Sequence, residues 1–235
     1  MWRFNLADNT ATKIFDGDPD QPITSAPELG FQPNGGYMVY FGTGTIQHTL
    51  SPSGDYPTQA IYGIWDRGPG AVIVDQTLSA NTPVFDNTNQ QIAGVDCTPP
   101  PADPPPDPIR YMDTINPVDF LCDANDASCA KGWRVLLNKP GEQVLGSIKL
   151  RAGRLTVVTN APGENLKGDS WLISLDYLTG GDGNQIVFNT NRDNSLDDCD
   201  KYTGDKLPVG LGFGDGNISQ PVLGRIGPGQ DIMFR

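Results

Sequence analysis

Short apolar runs separated by turn residues extend along the whole chain, and they constrain its fold more than any other feature. Gly, Pro, Asn or Asp bounds each run, as in the PNGG, RGPG and TGGDGN segments. Such runs are typical of β-strands, and no stretch keeps a 3.6-residue apolar period over helical length. The sequence therefore predicts an all-β fold. The predicted strands are residues 2–6, 37–42, 60–66, 71–78, 132–138, 143–150, 154–160, 170–178, 185–190, 220–226 and 231–234.

The strands show a weak internal repeat of a pair of strands followed by a turn. RLTVVTN is followed by SWLISLDYLTG, and YMVYFGTG followed by AIYGIWD is a looser version of the same pairing. Repeated strand pairs of this kind are typical of propeller blades, and about twelve strands at four per blade would make about three blades. We therefore predict a modified or partial β-propeller of short antiparallel blades with long loops. In the LDYLTG turn, Asp176 and Thr179 are expected to hydrogen-bond the backbone of their own turn.

Residues 97–108 interrupt this pattern with the sequence CTPPPADPPPDP. Prolines cannot join a β-ladder, so the segment is predicted to be an extended excursion over the surface. Strand-like sequence of similar character lies on both sides, which favours a long loop inserted in a single domain, residues 1–235. A linker between two domains and a proline-rich recognition motif are the alternatives.

Charge and composition exclude several classes of function. The net charge is −12, so nucleic acid is an unfavourable partner, whereas acidic clusters suit hard divalent cations. The apolar runs are too short to span a membrane, and no membrane insertion is expected. The single histidine, His48, excludes a His-rich metal site, and it is better explained as an ordinary surface or strand residue than as a catalytic base.

Strand-like WRFNL follows Met1 at once, so no export signal is expected at this position. We therefore expect either a cytoplasmic protein or a piece of a longer exported one.

The four cysteines favour the exported alternative. Cys122 and Cys129 bracket the polar loop DANDAS, which has no apolar residues to hold it, so a disulfide there is predicted. A pair of free thiols is the alternative, and no CxxC motif supports zinc. Cys97 and Cys199 could form a second bridge, but the sequence does not settle the pairing.

Residues 189–200, NTNRDNSLDDCD, carry oxygen-bearing side chains on alternate positions. In a tight loop, such side chains converge on one point, and Ca²⁺ takes six to eight oxygens from carboxylates, amides and carbonyls. The match to an EF-hand loop is partial: Asn194 replaces the usual glycine, although Asn tolerates the left-handed conformation needed there. The alternative is an acidic turn without an ion. The candidate ligands are Asn189, Asn191, Asp193, Ser195 and Asp197.

Several stretches together resemble the C-terminal domain of the PilY1/PilC family of type IV pilus tip and biogenesis proteins. The YFGTG, YGIWD and GW…L…GE…V motifs are specific in their order and spacing. The matching stretches are residues 21–29, 36–44, 59–68, 131–138, 141–160 and 169–181. The resemblance implies a modified β-propeller on an exported bacterial protein, at the cell surface, pilus tip, outer membrane or periplasm.

The resemblance also implies a role for the acidic loop. The family carries a calcium loop directly after its SWL…LD…TG blade, and residues 189–197 occupy that place. The function implied by the resemblance is that of a non-enzymatic, calcium-binding module that regulates pilus assembly, extension against retraction, and surface attachment. The implied partners are pilin or minor pilins, and a host or abiotic surface reached through the full-length protein.

Two other functions compete with this interpretation. The first is a quinoprotein-like propeller enzyme, because LDYLTG is similar to repeats of that group; the four tryptophans, Trp2, Trp65, Trp133 and Trp171, are instead predicted to be core anchors. The second is an adhesin in which calcium bridges sugar hydroxyls, which aromatic residues beside the loop would favour.

Overall fold

The computed structural model describes residues 1–45, 56–67, 72–79, 97, 107–121, 129–162, 168–202, 205–215, 218, 222–227 and 230–234. Within these ranges the regular elements are strands and the 3-10 turn Asp198–Asp200, so the all-β prediction is confirmed. The described residues contain no helix that is long and apolar enough to cross a membrane. The strands are β1 (Trp2–Asn5), β2 (Thr10–Lys13), β3 (Glu28–Phe31), β4 (Tyr37–Gly42), β5 (Ala60–Trp65), β6 (Val72–Leu78), β7 (Ile109–Thr114), β8 (Ala130–Leu136), β9 (Lys149–Arg151), β10 (Arg154–Ala161), β11 (Asp169–Asp176), β12 (Pro208–Asp215), β13 (Val222–Gly227) and β14 (Gln230–Phe234).

Ten of these strands form one nearly closed, barrel-like sheet. Its order is β3-β4-β5-β8-β6-β7-β12-β11-β10-β9, and every pair is antiparallel except β6 with β8. The edge strands β3 and β9 lie next to each other without pairing, and Glu28 Oε1 accepts the Leu150 N–H at 3.5 Å between them. The β1–β2 and β13–β14 hairpins are separate two-stranded sheets.

The largest apolar cluster fills the inside of the sheet around Trp133, which has no exposed surface. Gly63 packs directly against this ring, since a Cβ on Gly63 would lie 2.4 Å from Trp133 Cε2. Trp65 and Trp171 are buried in the same cluster, as predicted for core anchors. The prediction is wrong for Trp2, which is 55% exposed on β1.

Two of the predicted strands are wrong or too long. Residues 185–190 form no strand, because the strand before them, β11, already pairs on both sides, with β10 and with β12. Of residues 143–150 only the end is in a strand, because Val144 leaves β10 and donates its N–H to the Thr43 carbonyl, 3.0 Å away.

The structure also contains strands that the sequence patterns did not indicate, namely β2, β3, β7 and β12. In β12, Gly210 and Gly212 interrupt the apolar pattern, since glycine weakens the strand signal. Both glycines pack against Trp171, whose ring lies 3.7 Å and 3.0 Å from the Cβ positions they lack. This close packing explains the glycine at position 212, where a Cβ would also lie 2.7 Å from Pro108 Cγ, whereas the distance at Gly210 is an ordinary contact.

The proline-rich segment lies almost wholly outside the described residues, of which it shares only Cys97, Asp107 and Pro108. Its conformation, and the assignment of residues 1–235 to one domain, stay predictions.

Candidate metal site

The acidic loop connects β11 to β12 and is anchored in the core just before its first candidate ligand. Phe188 is 8% exposed and packs with Val158 of β10 and Leu172 of β11. Asn189 comes immediately after it, so its side chain starts from a fixed point. Burial of an aromatic ring at this position stabilises the start of a loop that otherwise consists of polar residues.

The backbone of the loop winds through two left-handed residues. Asn194 has φ 68°, which confirms the conformation predicted for it, and Arg192 has φ 61°, which was not predicted. Asn tolerates this region because its short polar side chain can bond locally.

Three of the candidate ligands accept a hydrogen bond from the backbone N–H two residues ahead. Asn191 Oδ1 accepts from Asp193 N at 3.2 Å, and Asp193 Oδ1 accepts from Ser195 N at 2.8 Å. Asp197 Oδ1 accepts from Cys199 N at 2.9 Å. These turns hold the side chains of alternate residues close to the loop backbone. Convergence of their oxygens on one point stays a prediction.

Asp200 closes the base of the loop, a role that the sequence analysis missed. It is fully buried, and its Oδ1 accepts the Thr190 N–H at 2.6 Å and the Asn191 N–H at 3.3 Å. Its Oδ2 accepts the Asp197 N–H at 3.2 Å, completing a capping box on the 3-10 turn Asp198–Asp200. Burial raises the pKa of the Asp200 carboxyl, against the lowering effect of these hydrogen bonds. The Asp-x-x-Asp spacing at 197–200 was the available signal.

The amide oxygen of Asn189 has a different environment from the three candidate ligand oxygens described above. Asn189 Oδ1 is buried and has no hydrogen-bond partner among the described residues. A buried acceptor without a partner costs free energy, whereas a cation would satisfy it. Asn191 is also buried, at 2% exposure, while Asp193, Ser195 and Asp197 are exposed. The donor set of amides, carboxylates and a hydroxyl therefore fits a hard cation.

The acidic side chains alone do not form a metal cluster. Among the described residues, no group of three or more His, Cys, Asp or Glu side chains is placed to hold an ion. A cation at residues 189–197 would depend on the Asn oxygens and on backbone carbonyls as well as on Asp193 and Asp197.

Two basic residues partly balance the acids of this region. Arg192 forms an ion pair with Asp107 at 3.2 Å, and Lys201 forms one with Asp198 at 2.9 Å. The hydrogen bond with Asp198 raises the pKa of the Lys201 amine.

The disulfides bear on the open question of pairing. Cys97 and Cys199 form a bridge across a sequence separation of 102 residues, so one of the alternatives left open by the sequence is now decided. Cys129 is buried and disulfide-bonded, but its predicted partner Cys122 lies outside the described residues, as does His48.

A small aromatic group lies beside the loop. The rings of Tyr111 and Tyr202 stack at a centroid distance of 5.1 Å. Lys206 Nζ lies over the Tyr111 ring, 4.1 Å from its centroid. Tyr202 lies two positions after the loop in the sequence. Because Tyr111 already contacts both Tyr202 and Lys206, the group resembles a packed structural contact more than an open sugar platform.

Comparison with known proteins gives a curated relative and a solved structure. Over 170 residues the chain is 28% identical to a protein of Xylella fastidiosa (strain Temecula1) named type IV pilus biogenesis factor PilY1 homolog. The match covers 68% of this chain and 10% of that protein. No family model matches the chain.

The solved structure is the crystal structure of the Pseudomonas aeruginosa PilY1 C-terminal domain. It superposes with a TM-score of 0.64 at 23% identity, over 91% of this chain and 43% of that chain. This similarity confirms the all-β, propeller-type fold. Together with the curated relative, it confirms the resemblance to the PilY1 C-terminal domain that was drawn from the sequence motifs.

Proposed function

We propose that this chain, a relative of the PilY1 C-terminal domain, is a non-enzymatic calcium-binding module of a type IV pilus biogenesis or tip adhesin protein. Asn189, Asn191, Asp193 and Asp197 would supply side-chain oxygens to the ion, and Ser195 its backbone carbonyl. The bound ion would order residues 189–200 and thereby regulate pilus assembly, extension against retraction, and surface attachment.

The observation that carries this proposal is the buried, unpartnered Oδ1 of Asn189 at the first position of the loop. It stands where a calcium loop needs an oxygen, and the left-handed Asn194 stands where such a loop turns sharply. A bound cation would satisfy this buried acceptor, which supports the calcium alternative over an acidic turn without an ion. The few formal charges in the donor set favour a modest affinity, in the range of about 0.1–1 mM that suits extracellular calcium.

The proposal is tested by thermal unfolding of the chain with chelator and with millimolar calcium. Calcium should raise the Tm of the unmodified chain, because an ion that binds only the folded state stabilises it by mass action. Replacing Asp193 and Asp197 with Ala should abolish that increase. Replacing Asp16 and Asp20, two exposed acids far along the chain from the loop, removes the same charge and should leave the increase intact. An unmodified chain that melts at the same temperature with and without calcium contradicts the proposal.

The partners and the location belong to the same proposal. We expect an exported protein at the cell surface, pilus tip, outer membrane or periplasm, where free calcium is abundant and disulfides persist. The Cys97–Cys199 bridge supports this location. Pilin or minor pilins are the expected partners of the ordered loop, and a host or abiotic surface is expected to be reached through the full-length protein.

The non-enzymatic part of the proposal has its own test. A quinoprotein needs a bound quinone cofactor, and core positions of Trp65, Trp133 and Trp171 make these rings structural anchors. An absorbance spectrum of the purified protein should show only aromatic absorption near 280 nm. A further band from a bound quinone would revive the enzyme alternative.

A further inference from the structure

The disulfide between Cys97 and Cys199 reaches the acidic loop at the point that holds its two ends together. Cys199 is the middle residue of the 3-10 turn Asp198–Asp200, and it is 5% exposed. Its backbone N–H donates to Oδ1 of Asp197, a candidate calcium ligand. A displacement of Cys199 would therefore move the acceptor that the proposed site uses.

The same turn also fixes the first half of the loop. Asp200, next to Cys199, accepts the N–H groups of Thr190 and Asn191 and the hydroxyl of Thr190. The turn thus sits between the early ligands and the last ligand, Asp197. A bond that fixes the position of Cys199 therefore also fixes the distance between the early ligand Asn191 and the last ligand, Asp197.

A second contact ties the loop to the same part of the chain. Asp107, ten positions after Cys97, pairs with Arg192, whose left-handed backbone lies between the ligands Asn191 and Asp193. Cys97 therefore holds the late half of the loop through Cys199, and Asp107 contacts its early half through Arg192. The first of these two contacts is covalent and the second is ionic.

We propose that the Cys97–Cys199 disulfide, assisted by the Asp107–Arg192 ion pair, is a positioning element that sets the calcium affinity of the 189–200 loop. This inference rests on the calcium site proposed above and adds what tunes it. The apparent dissociation constant is the intrinsic one divided by the fraction of molecules whose site is already formed. A loop that is formed in about one molecule in ten would bind calcium about tenfold more weakly.

The test compares calcium dissociation constants measured by calorimetry at 25 °C in the oxidised chain and in two double variants. C97S/C199S should bind calcium about tenfold more weakly than the unmodified chain. C122S/C129S removes the other two cysteines, of which Cys129 lies before β8 and not in the loop, and it should bind within about twofold of the unmodified chain. The Tm of each protein in chelator is recorded alongside, because a disulfide also stabilises the whole fold.

The split between affinity and stability decides the question. A C97S/C199S protein that melts at a lower temperature but binds calcium as tightly as the unmodified chain would overturn the positioning role and leave the proposed function standing. An unmodified chain that binds no calcium would overturn both.

A second pair of measurements covers the case in which C97S/C199S does not fold. Asp107→Asn removes only the ionic contact at the surface, and it should weaken calcium binding by about threefold without lowering the Tm in chelator by more than a degree or two. In the unmodified chain, a dithiol reductant supplies two electrons and two protons to the disulfide and closes to its own cyclic disulfide. Hydrogen exchange of the Ser195 and Cys199 amides should then accelerate before the core amides of β10 and β11 do. Equal affinity in D107N together with unchanged exchange after reduction would overturn the inference.

Discussion

Replacement of Asn189 by Ala should not lower the stability of the chain in chelator, but it should reduce the stabilisation that calcium gives. In chelator, the buried Oδ1 of Asn189 has no described partner, and such a group costs about 1–3 kcal/mol. Its removal should therefore leave the free energy of unfolding unchanged or raise it by about 1 kcal/mol, after loss of some side-chain packing. For a chain of this size, about 1 kcal/mol corresponds to a shift of about 2–4 °C in Tm.

With calcium the same oxygen should be a ligand, and its loss should reduce the stabilisation. At a calcium concentration of about 100 times Kd, binding stabilises the folded state by about 2.7 kcal/mol. If loss of one ligand weakens binding about tenfold, the same calcium concentration gives only about 1.4 kcal/mol. The calcium-dependent increase in Tm should therefore fall by about half in N189A.

The assay is urea or thermal unfolding of both proteins in chelator and in calcium. Asn189→Asp serves as the counterpart, because a buried carboxylate should lower stability in chelator and enlarge the calcium-dependent increase. The reasoning is refuted if N189A is clearly less stable than the unmodified chain in chelator and still keeps the full calcium-dependent increase. That result would make Asn189 a structural residue and not a ligand.

Three further predictions concern the core. Tyr40→Phe should leave the free energy of unfolding unchanged or raise it by about 1 kcal/mol, because the buried Tyr40 hydroxyl has no described partner. Tyr62→Phe should lower it by about 1 kcal/mol, because the Tyr62 hydroxyl loses its hydrogen bond to Gln21. Urea unfolding measures both values. Burial raises the pKa of the Tyr40 phenol far above its usual range, so above about pH 10 the unfolded chain releases this proton and the folded chain keeps it. The free energy of unfolding should therefore fall as the pH rises, and this fall should be smaller in Tyr40→Phe. Glu142→Gln should cost about 3–5 kcal/mol in the same assay, because it leaves the buried Arg110 guanidinium without its counter-charge. Asp16→Asn, which removes a surface ion pair, should change stability far less. A gain from Tyr62→Phe, an alkaline profile that Tyr40→Phe does not change, or a Glu142→Gln protein as stable as Asp16→Asn would each contradict the corresponding prediction.

The sequence predicted those strands whose apolar pattern is uninterrupted. β4, β5, β10 and β11 carry continuous buried runs, and they appear within a residue or two of their predicted bounds. β12 was not predicted because glycines interrupt its apolar pattern. Gly212 packs against Trp171 of the neighbouring strand β11, and no local pattern reveals that contact. Residues 185–190 have a strand-like pattern, but the neighbouring strand β11 already pairs on both sides, and pairing depends on the whole topology.

The candidate site divides in the same way. The oxygen-bearing side chains at alternate positions of the loop can be read directly from the sequence. The left-handed backbone of Asn194 is also a local property, and the sequence predicted it. The buried carboxyl of Asp200 was readable from the capping-box spacing but was not recognised, because the loop was compared with an EF-hand in which the last position is a ligand. The bridge to Cys97 joins residues 102 positions apart, so spacing within the loop contains no information about it.

The most direct test of the calcium site is a crystal structure of the chain grown in millimolar calcium. We expect one strong density peak inside the 189–197 loop, with oxygens of Asn189, Asn191, Asp193, Ser195 and Asp197 about 2.3–2.6 Å from it. Well-resolved side chains that point into solvent around an empty centre would contradict the proposed site.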